Sequence, residues 1–499
     1  MWLNQRTMTA LSSFQALARE CNLIQTTGAT LGWDQETYMP QEAGRFRAEQ
    51  LSWLSARSHE LATSDRWCDL LEQAIAETDD SNETARRDLL EMKRRFDLAT
   101  KLPVELVARD TQTSSLAKRA WAEARKANDF SRFLPHLQAL VDINREKAEL
   151  WGYAEEPYDA LLSCFERGAT TARLTEEFDT LRPALAEIAK AAVEHSQSRY
   201  RALPAGPYPI AEQQAFNEKI ARDIGYSFTA GRIDTTTHPF CTNLGPRDVR
   251  LTTRYDESDF CSSLFGVLHE AGHGMYEQGL PQEYPGMASC DAVSLGIHES
   301  QSRLWENQVG RSQAFWEKWY PVACEHFPQL RGHSLEDFMT HVHQVEFTPI
   351  RVESDEATYD LHIVLRFELE RGMFRRDFSL ADLPAVWDES FEKLFGFRPQ
   401  DPAHGCLQDI HWSMGAYGYF PTYTLGNLNA SQLMHAAMKQ PDIAQAVHHA
   451  DYAPLLQWLR LHIHQQGALY DPAELMERTT GLKPQARFHL DYLRGRYLG

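Results

Sequence analysis

His269 and His273 stand four residues apart with Glu270 between them, and that spacing does chemical work only on a helix. On a helix, residues i and i+4 lie one above the other on the same face. The helix is supported independently of the motif. Leu264, Leu268, Ala271 and Met275 form an apolar stripe on a different face from the two histidines. Two imidazoles so placed can both reach one Zn²⁺, and Glu270 is set to activate water beside it. A third ligand is needed, and His298, Glu299 and Glu306 are the downstream candidates. Glu299 lies 26 residues after His273 in a helical stretch, where a glutamate from the following helix can complete the site. Two histidines and one carboxylate leave a position open, as catalytic zinc requires. Glu306, two turns further on, is the fallback; its alternative is an ion pair with Arg303.

Helical periodicity dominates the rest of the 499 residues. Leu11, Phe14, Leu17, Ala18 and Cys21 begin the pattern, and similar stripes run through 46–62, 82–100, 104–127, 130–152 and 171–199. The proline-rich segment 198–210 reads as a turn inside one body. Residues 226–258 change character, with Thr, Tyr, Phe and Arg punctuated by Gly and Pro; short strands are expected there, for example at 248–255. Helices resume at 259–279, 291–308, 312–325, 335–343, 355–375 and 382–395. Residues 404–427 are expected to form a helix leading into an aromatic loop. The expectation is a mainly α chain with one small β insert, organised as a single domain over 1–499.

Composition narrows the function. Hydrophobic residues at 43% suffice for a large core. The formal charge of −20 argues against nucleic-acid or polybasic membrane partners. No apolar run approaches the roughly 18–20 residues that span a bilayer, and no secretory leader is visible. The eight cysteines are scattered without a CxxC pair, which fits reduced thiols in the cytoplasm.

HEAGH followed by HESQSRLWEN (298–307) resembles the M32 metallocarboxypeptidases, the carboxypeptidase Taq family. Further stretches typical of that family follow its order: WDQETYMP (33–40), HPF (238–240), DVRLT (248–252), IRVESDEATY (350–359) and GCLQDIHW (405–412). Ser354 departs from the alanine common at its position. The resemblance implies a two-lobed helical body with a deep central groove, related to the neurolysin-like zincins. It implies a zinc carboxypeptidase, commonly homodimeric, that removes single residues from free peptide C-termini with broad specificity. Co²⁺ or Mn²⁺ are possible substitutes at a His₂Glu site.

Residue by residue, the resemblance assigns His269, His273 and Glu299 to the metal and Glu270 to the general base. His411 matches the histidine that steadies the oxyanion, with Tyr419 or Tyr423 favoured over Tyr417 as its tyrosine partner. Gln408 and Asp409 are candidates to orient His411. Arg351 is the first choice for the substrate carboxylate, since a guanidinium fork binds it bidentately. Arg250 is the second. The competing role for Arg351 is pairing with Glu353 or Asp355. His238 in HPF either lines the site or caps a turn, and its role stays open. Two alternatives remain: an endopeptidase or dipeptidyl carboxypeptidase among the helical zincins, and a catalytically silent peptide-binding scaffold. Glu270 argues against the second, because a structural zinc site usually closes with four protein ligands.

Overall fold

The computed structural model describes residues 9–499. Among these, twenty α-helices are accompanied by a single sheet of three short strands. The mainly α expectation holds. Strand β1 (Ile233–Thr235) runs parallel to β3 (Val249–Thr253), with Ile233 opposite Leu251. Strand β2 (Cys241–Asn243) runs antiparallel on the other side of β3, with Thr242 opposite Arg250. The expected strand at 248–255 is thus shorter at both ends.

Two large apolar cores account for most of the buried surface. One gathers helices from 104–199, 359–395 and the C-terminus around residues such as Leu140, Tyr158, Phe367 and Trp387. The other gathers 210–224, 260–279 and 295–342 with the 441–480 helices around Leu268, Trp305, Trp316 and Leu455. This division agrees with the expected two lobes. The Pro421–Ala437 helix belongs to both: Leu425 and Leu428 enter the first core, and Ala430, Leu433 and Ala437 the second. A third, smaller core joins the N-terminal helices through Phe14, Leu17, Trp67 and Leu71 to Met287, Ala288 and Ala468.

The 198–210 segment is packed as expected for an internal turn. Tyr208 is buried, its amide donates to Glu257 O and its hydroxyl to Pro204 O. A buried polar relay also ties three helices together. His489 bridges Ser431 at 3.0 Å and Asp360 at 2.9 Å, and Asp360 accepts from Thr424 and Asn427 as well. Each buried polar atom there has a partner, which limits its desolvation cost.

Two expectations are corrected. The 291–308 stretch starts its helix only at Leu295, where Ser294 caps the Ile297 amide, and it widens into a π-helix over Leu304–Val309. In 404–427 the order is reversed. Turns and a short 3₁₀ segment (His411–Met414) come first, and the helix follows from Pro421. Proline suits that first helical position, because its fixed φ is helical and its missing N–H has no intrahelical use there.

Candidate active site

The Phe260–Gly279 helix carries His269, Glu270 and His273, and its apolar stripe is fully buried, with Leu264, Leu268, Ala271 and Met275 all at 0% exposure. The Leu295–Arg303 helix crosses it and brings in Glu299. Gly272 permits the crossing. A Cβ there would lie 2.5 Å from Gln301 O and 2.6 Å from Ser302 Cα, so the two backbones are in contact. On its other side Glu299 meets the Pro421–Ala437 helix at Gly426, where a Cβ would lie 2.5 Å from Glu299 Cγ. The site therefore forms where the helix shared by both cores passes the glutamate.

His269 Nε2 lies 3.8 Å and His273 Nε2 3.5 Å from Glu299 Oε2. One donor atom from each of the three residues lies within 4.8 Å of the others, a set that can hold a metal ion. The remaining imidazole nitrogens are tied down by protein. His269 Nδ1 lies 2.8 Å from Glu306 Oε2, and His273 Nδ1 lies 3.1 Å from the His298 carbonyl. Both partners accept, so each Nδ1 carries a proton; burial lowers His273 to about 4 and leaves its Nε2 lone pair free, whereas Glu299 and Glu306 outweigh burial and raise His269 to about 9, so a metal at its Nε2 would displace a proton. The donor set fits zinc, with a position left open.

Glu306 is thus placed behind His269, away from the cluster of metal donors. Arg303 spans the two glutamates, 2.7 Å from Glu299 Oε1 and 3.4 Å from Glu306 Oε2, so the ion pair considered for Glu306 is present too. Burial opposes charge on both carboxylates, but Arg303 and His269 outweigh it. Glu306 is held down to about 2 and Glu299 well below its usual range. On Glu270 burial prevails over the charge of His269 and raises it to about 7. Cys241 lies close enough to Glu270 and Glu277 that their charges add to burial in keeping its thiol protonated.

His411 and two tyrosines form a further cluster, near enough to Glu299 for its charge to act on both tyrosines. His411 Nε2 is 3.2 Å from the Tyr423 hydroxyl, and the Tyr419 ring lies 5.1 Å from the His411 ring and 5.4 Å from that of Tyr423. Burial lowers His411 to about 3, so its ring is neutral. Burial and the charge of Glu299 raise Tyr419, and burial holds Tyr423 well above the ordinary phenol value, so both remain donors. Tyr417 is buried against Phe374 in the core and takes no part.

Arg351 is buried beside this cluster, its guanidinium 5.0 Å from the Tyr423 ring centroid. Its partner is neither Glu353 nor Asp355 but Asp409, at 2.7 Å from Nη2 and 3.1 Å from Nε, while Nη1 donates to the Tyr359 hydroxyl at 2.6 Å. Arg366 pairs with the other oxygen of Asp409 at 2.6 Å. Asp409 reaches His411 Nδ1 only at 4.0 Å, and Gln408 accepts from the Arg351 amide instead. These two residues therefore fix Arg351, and neither hydrogen-bonds His411. Ser354 donates to Ile350 O, within the same turn. Arg250 projects from β3, holds Asp248 through two bonds of 2.8 Å and lies over Trp33. His238 is exposed.

His298, considered as a third ligand, lies instead behind the histidines with two groups not anticipated, Glu277 and Asn243. His298 Nε2 is 2.8 Å from Glu277 Oε1, and Asn243 donates to the other oxygen of Glu277. Only the helical spacing of His273 and Glu277 hinted at this arrangement.

The whole-chain comparisons agree with the site. Residues 13–497 match the family described as carboxypeptidase Taq (M32) metallopeptidase. The thermostable carboxypeptidase 1 of Thermus thermophilus is 39% identical, over 98% of this chain and 99% of that protein. Carboxypeptidase 1 of Bacillus subtilis is 36% identical over 94% of each. The crystal structure of the M32 carboxypeptidase from Deinococcus radiodurans superposes with a TM-score of 0.93 at 36% identity, covering 98% of both chains. That of the Pyrococcus furiosus carboxypeptidase gives 0.94 at 36%, covering 99% of both. With a His₂Glu donor set and this match from end to end, the chain belongs to the carboxypeptidase Taq (M32) family and is a metallocarboxypeptidase.

Proposed function

We propose that the chain, acting as one domain over 1–499, is a zinc enzyme that removes single residues from free peptide C-termini with broad specificity. The observation that carries this reading is the convergence of His269, His273 and Glu299 beside the buried Glu270. When bound, Zn²⁺ supplies a Lewis acid that polarises the scissile carbonyl and acidifies water. His269, His273 and Glu299 hold it, and Co²⁺ or Mn²⁺ suit the same donors. Glu270 accepts the proton of the attacking water and passes it to the leaving amine. Tyr423 and Tyr419, with neutral His411, donate hydrogen bonds to the charge that develops on the carbonyl oxygen.

An enzyme that cuts the last peptide bond must hold a carboxylate one residue from that oxygen. Arg351, packed against Tyr423 and already bonded to Asp409 and Tyr359, is our choice for the carboxylate contact, with Arg250 second. The neurolysin-like relation, a homodimeric assembly and a cytoplasmic role in peptide recycling complete the proposal. No helix among the described residues is long and apolar enough to cross a membrane.

The test is mass spectrometry of two peptides of one sequence, one free and one amidated at the C-terminus, incubated with zinc-loaded protein and with Glu270→Gln. Stepwise single-residue losses from the free peptide alone, absent in the variant, are expected. Internal cuts in both peptides would make it an endopeptidase. No cleavage of either by metal-loaded protein would favour a binding scaffold.

A further inference from the structure

A second group of metal-ligating side chains lies at the start of the HEAGH helix. Asp259 is the N-cap of that helix, its Oδ1 accepting from the Cys261 amide at 2.9 Å. Cys261 follows in the first turn, with its side chain 4% exposed. His341 comes from the last turn of the Leu335–Val342 helix. One carboxylate oxygen, the sulfur and one imidazole nitrogen lie within 4.8 Å of one another. His341 Nδ1 is buried and has no hydrogen-bond partner. A buried imidazole nitrogen without a partner, on a histidine that shares this cluster with a buried thiol, carries a desolvation cost that a bound ion would offset.

We propose that Asp259, Cys261 and His341 form a second divalent metal site, distinct from the catalytic one, for a borderline ion such as Zn²⁺ or Co²⁺. The donors are one thiolate, one imidazole and one carboxylate, the set such ions favour over Mg²⁺ or Ca²⁺. Binding forms a metal–sulfur bond and releases the thiol proton to solvent. From Cys261 to His269 the helix rises about 12 Å, so the two ions do not share a ligand. Arg311 is a cation whose charge acts on both Cys261 and His341. Its donors are engaged by Asn307, the Val342 carbonyl and Glu306, which offsets its charge there. The site would pin the Leu335–Val342 helix to the origin of the helix that carries the catalytic histidines, a clip joining residues far apart in sequence.

The donor sets differ in a way that spectroscopy can separate, because His269, His273 and Glu299 include no sulfur. Metal-free full-length protein is titrated with Co²⁺, and bound metal is counted by equilibrium dialysis. Two equivalents are expected, with a near-ultraviolet thiolate-to-cobalt band accompanying one of them. Cys261→Ser should bind one equivalent without the band and keep carboxypeptidase activity. His341→Asn should weaken the band-forming equivalent at least tenfold, which guards against a folding defect peculiar to the serine variant. In His269→Ala the band should persist. A single equivalent in the wild-type protein, or a band that survives Cys261→Ser, overturns the proposal.

Discussion

His298 Nδ1 lies 2.6 Å from His273 Nδ1. Two ring nitrogens at that distance require one proton between them. Glu277, held ionised because its bond to His298 outweighs burial, accepts a hydrogen bond from His298 Nε2. His298 Nδ1 is then an acceptor, and His273 Nδ1 must donate. The chain Glu277–His298–His273 therefore leaves His273 Nε2 with its lone pair toward the metal. Replacing groups that orient a ligand typically costs 10–100-fold in metal affinity. His298→Phe is expected to weaken zinc binding by that factor in competition with a chelator, and Glu277→Gln in the same direction. Unchanged affinity would mean that the His298 carbonyl alone orients His273.

Gly272→Ala sets two effects against each other. Alanine favours a helix by about 1 kcal/mol over glycine, but here its methyl would press into the backbone of Gln301 and Ser302. Backbone cannot yield as a side chain can, and overpacking of this kind costs about 1–3 kcal/mol. The variant is expected to melt lower than the parent and to bind zinc less tightly, since the helix bearing Glu299 must move away. A higher melting temperature with unchanged zinc affinity would show that the crossing has slack.

The contrast between these sites explains what was legible in the sequence. His269, Glu270 and His273 could be read because i,i+4 spacing is a local property of one helix. Glu299 and Glu306 both remained candidates for the metal, since seven residues return a helix to nearly the same face. Which of them faces the imidazole Nε2 atoms depends on the crossing at Gly272 and on the π-turns at Leu304–Val309. Asp409 as the partner of Arg351 was hidden for a similar reason. The two are brought together by tertiary packing, whereas Glu353 and Asp355 were merely close in sequence. The reversed order of turn and helix in 404–427 came from reading aromatic residues as a loop, when Tyr423 lies in the first turn of the Pro421–Ala437 helix.

Tyr423→Phe removes the hydroxyl that meets His411 and leaves the ring packed under Arg351. If that hydroxyl stabilises the developing charge, kcat falls about 10²–10³-fold with KM little changed. Tyr419→Phe provides the comparison. Tyr423 holds the direct bond to His411, so the larger loss is expected there. The opposite ranking would transfer the role to Tyr419.

Arg351→Met and Arg250→Met separate the two candidates for the carboxylate. Discrimination between free and amidated substrates should collapse in the first and persist in the second. Arg351→Met also deprives Asp409 of one of its two arginines, though Arg366 still compensates the charge. Thermal melting must therefore accompany the kinetics. A folded Arg351→Met enzyme that still rejects amidated peptides, beside an Arg250→Met enzyme that does not, would reverse the assignment.

Glu91 gives a pH-dependent prediction outside the site. It is 5% exposed, lies 2.8 Å from Arg94 Nε and 3.0 Å from Arg95 Nε, and pairs with Arg167 of the main body. Burial opposes its charge, but the three arginines prevail and lower it from 4.5 to about 2. A carboxylate depressed in the folded state stabilises that state above its unfolded pKa, and the gain disappears as pH falls through the folded value. The shift corresponds to about 3 kcal/mol, present above pH ~4.5 and lost between there and pH ~2. Because the chain is large, the readout should be local: hydrogen exchange of amides in the Glu83–Thr100 helix, whose Arg167 contact ties it to the body. Glu91→Gln is expected to speed exchange there about 100-fold at neutral pH, and the gap from the parent should close on acidification. A gap that stays constant with pH would assign the loss to packing, because only the ionised carboxylate titrates away.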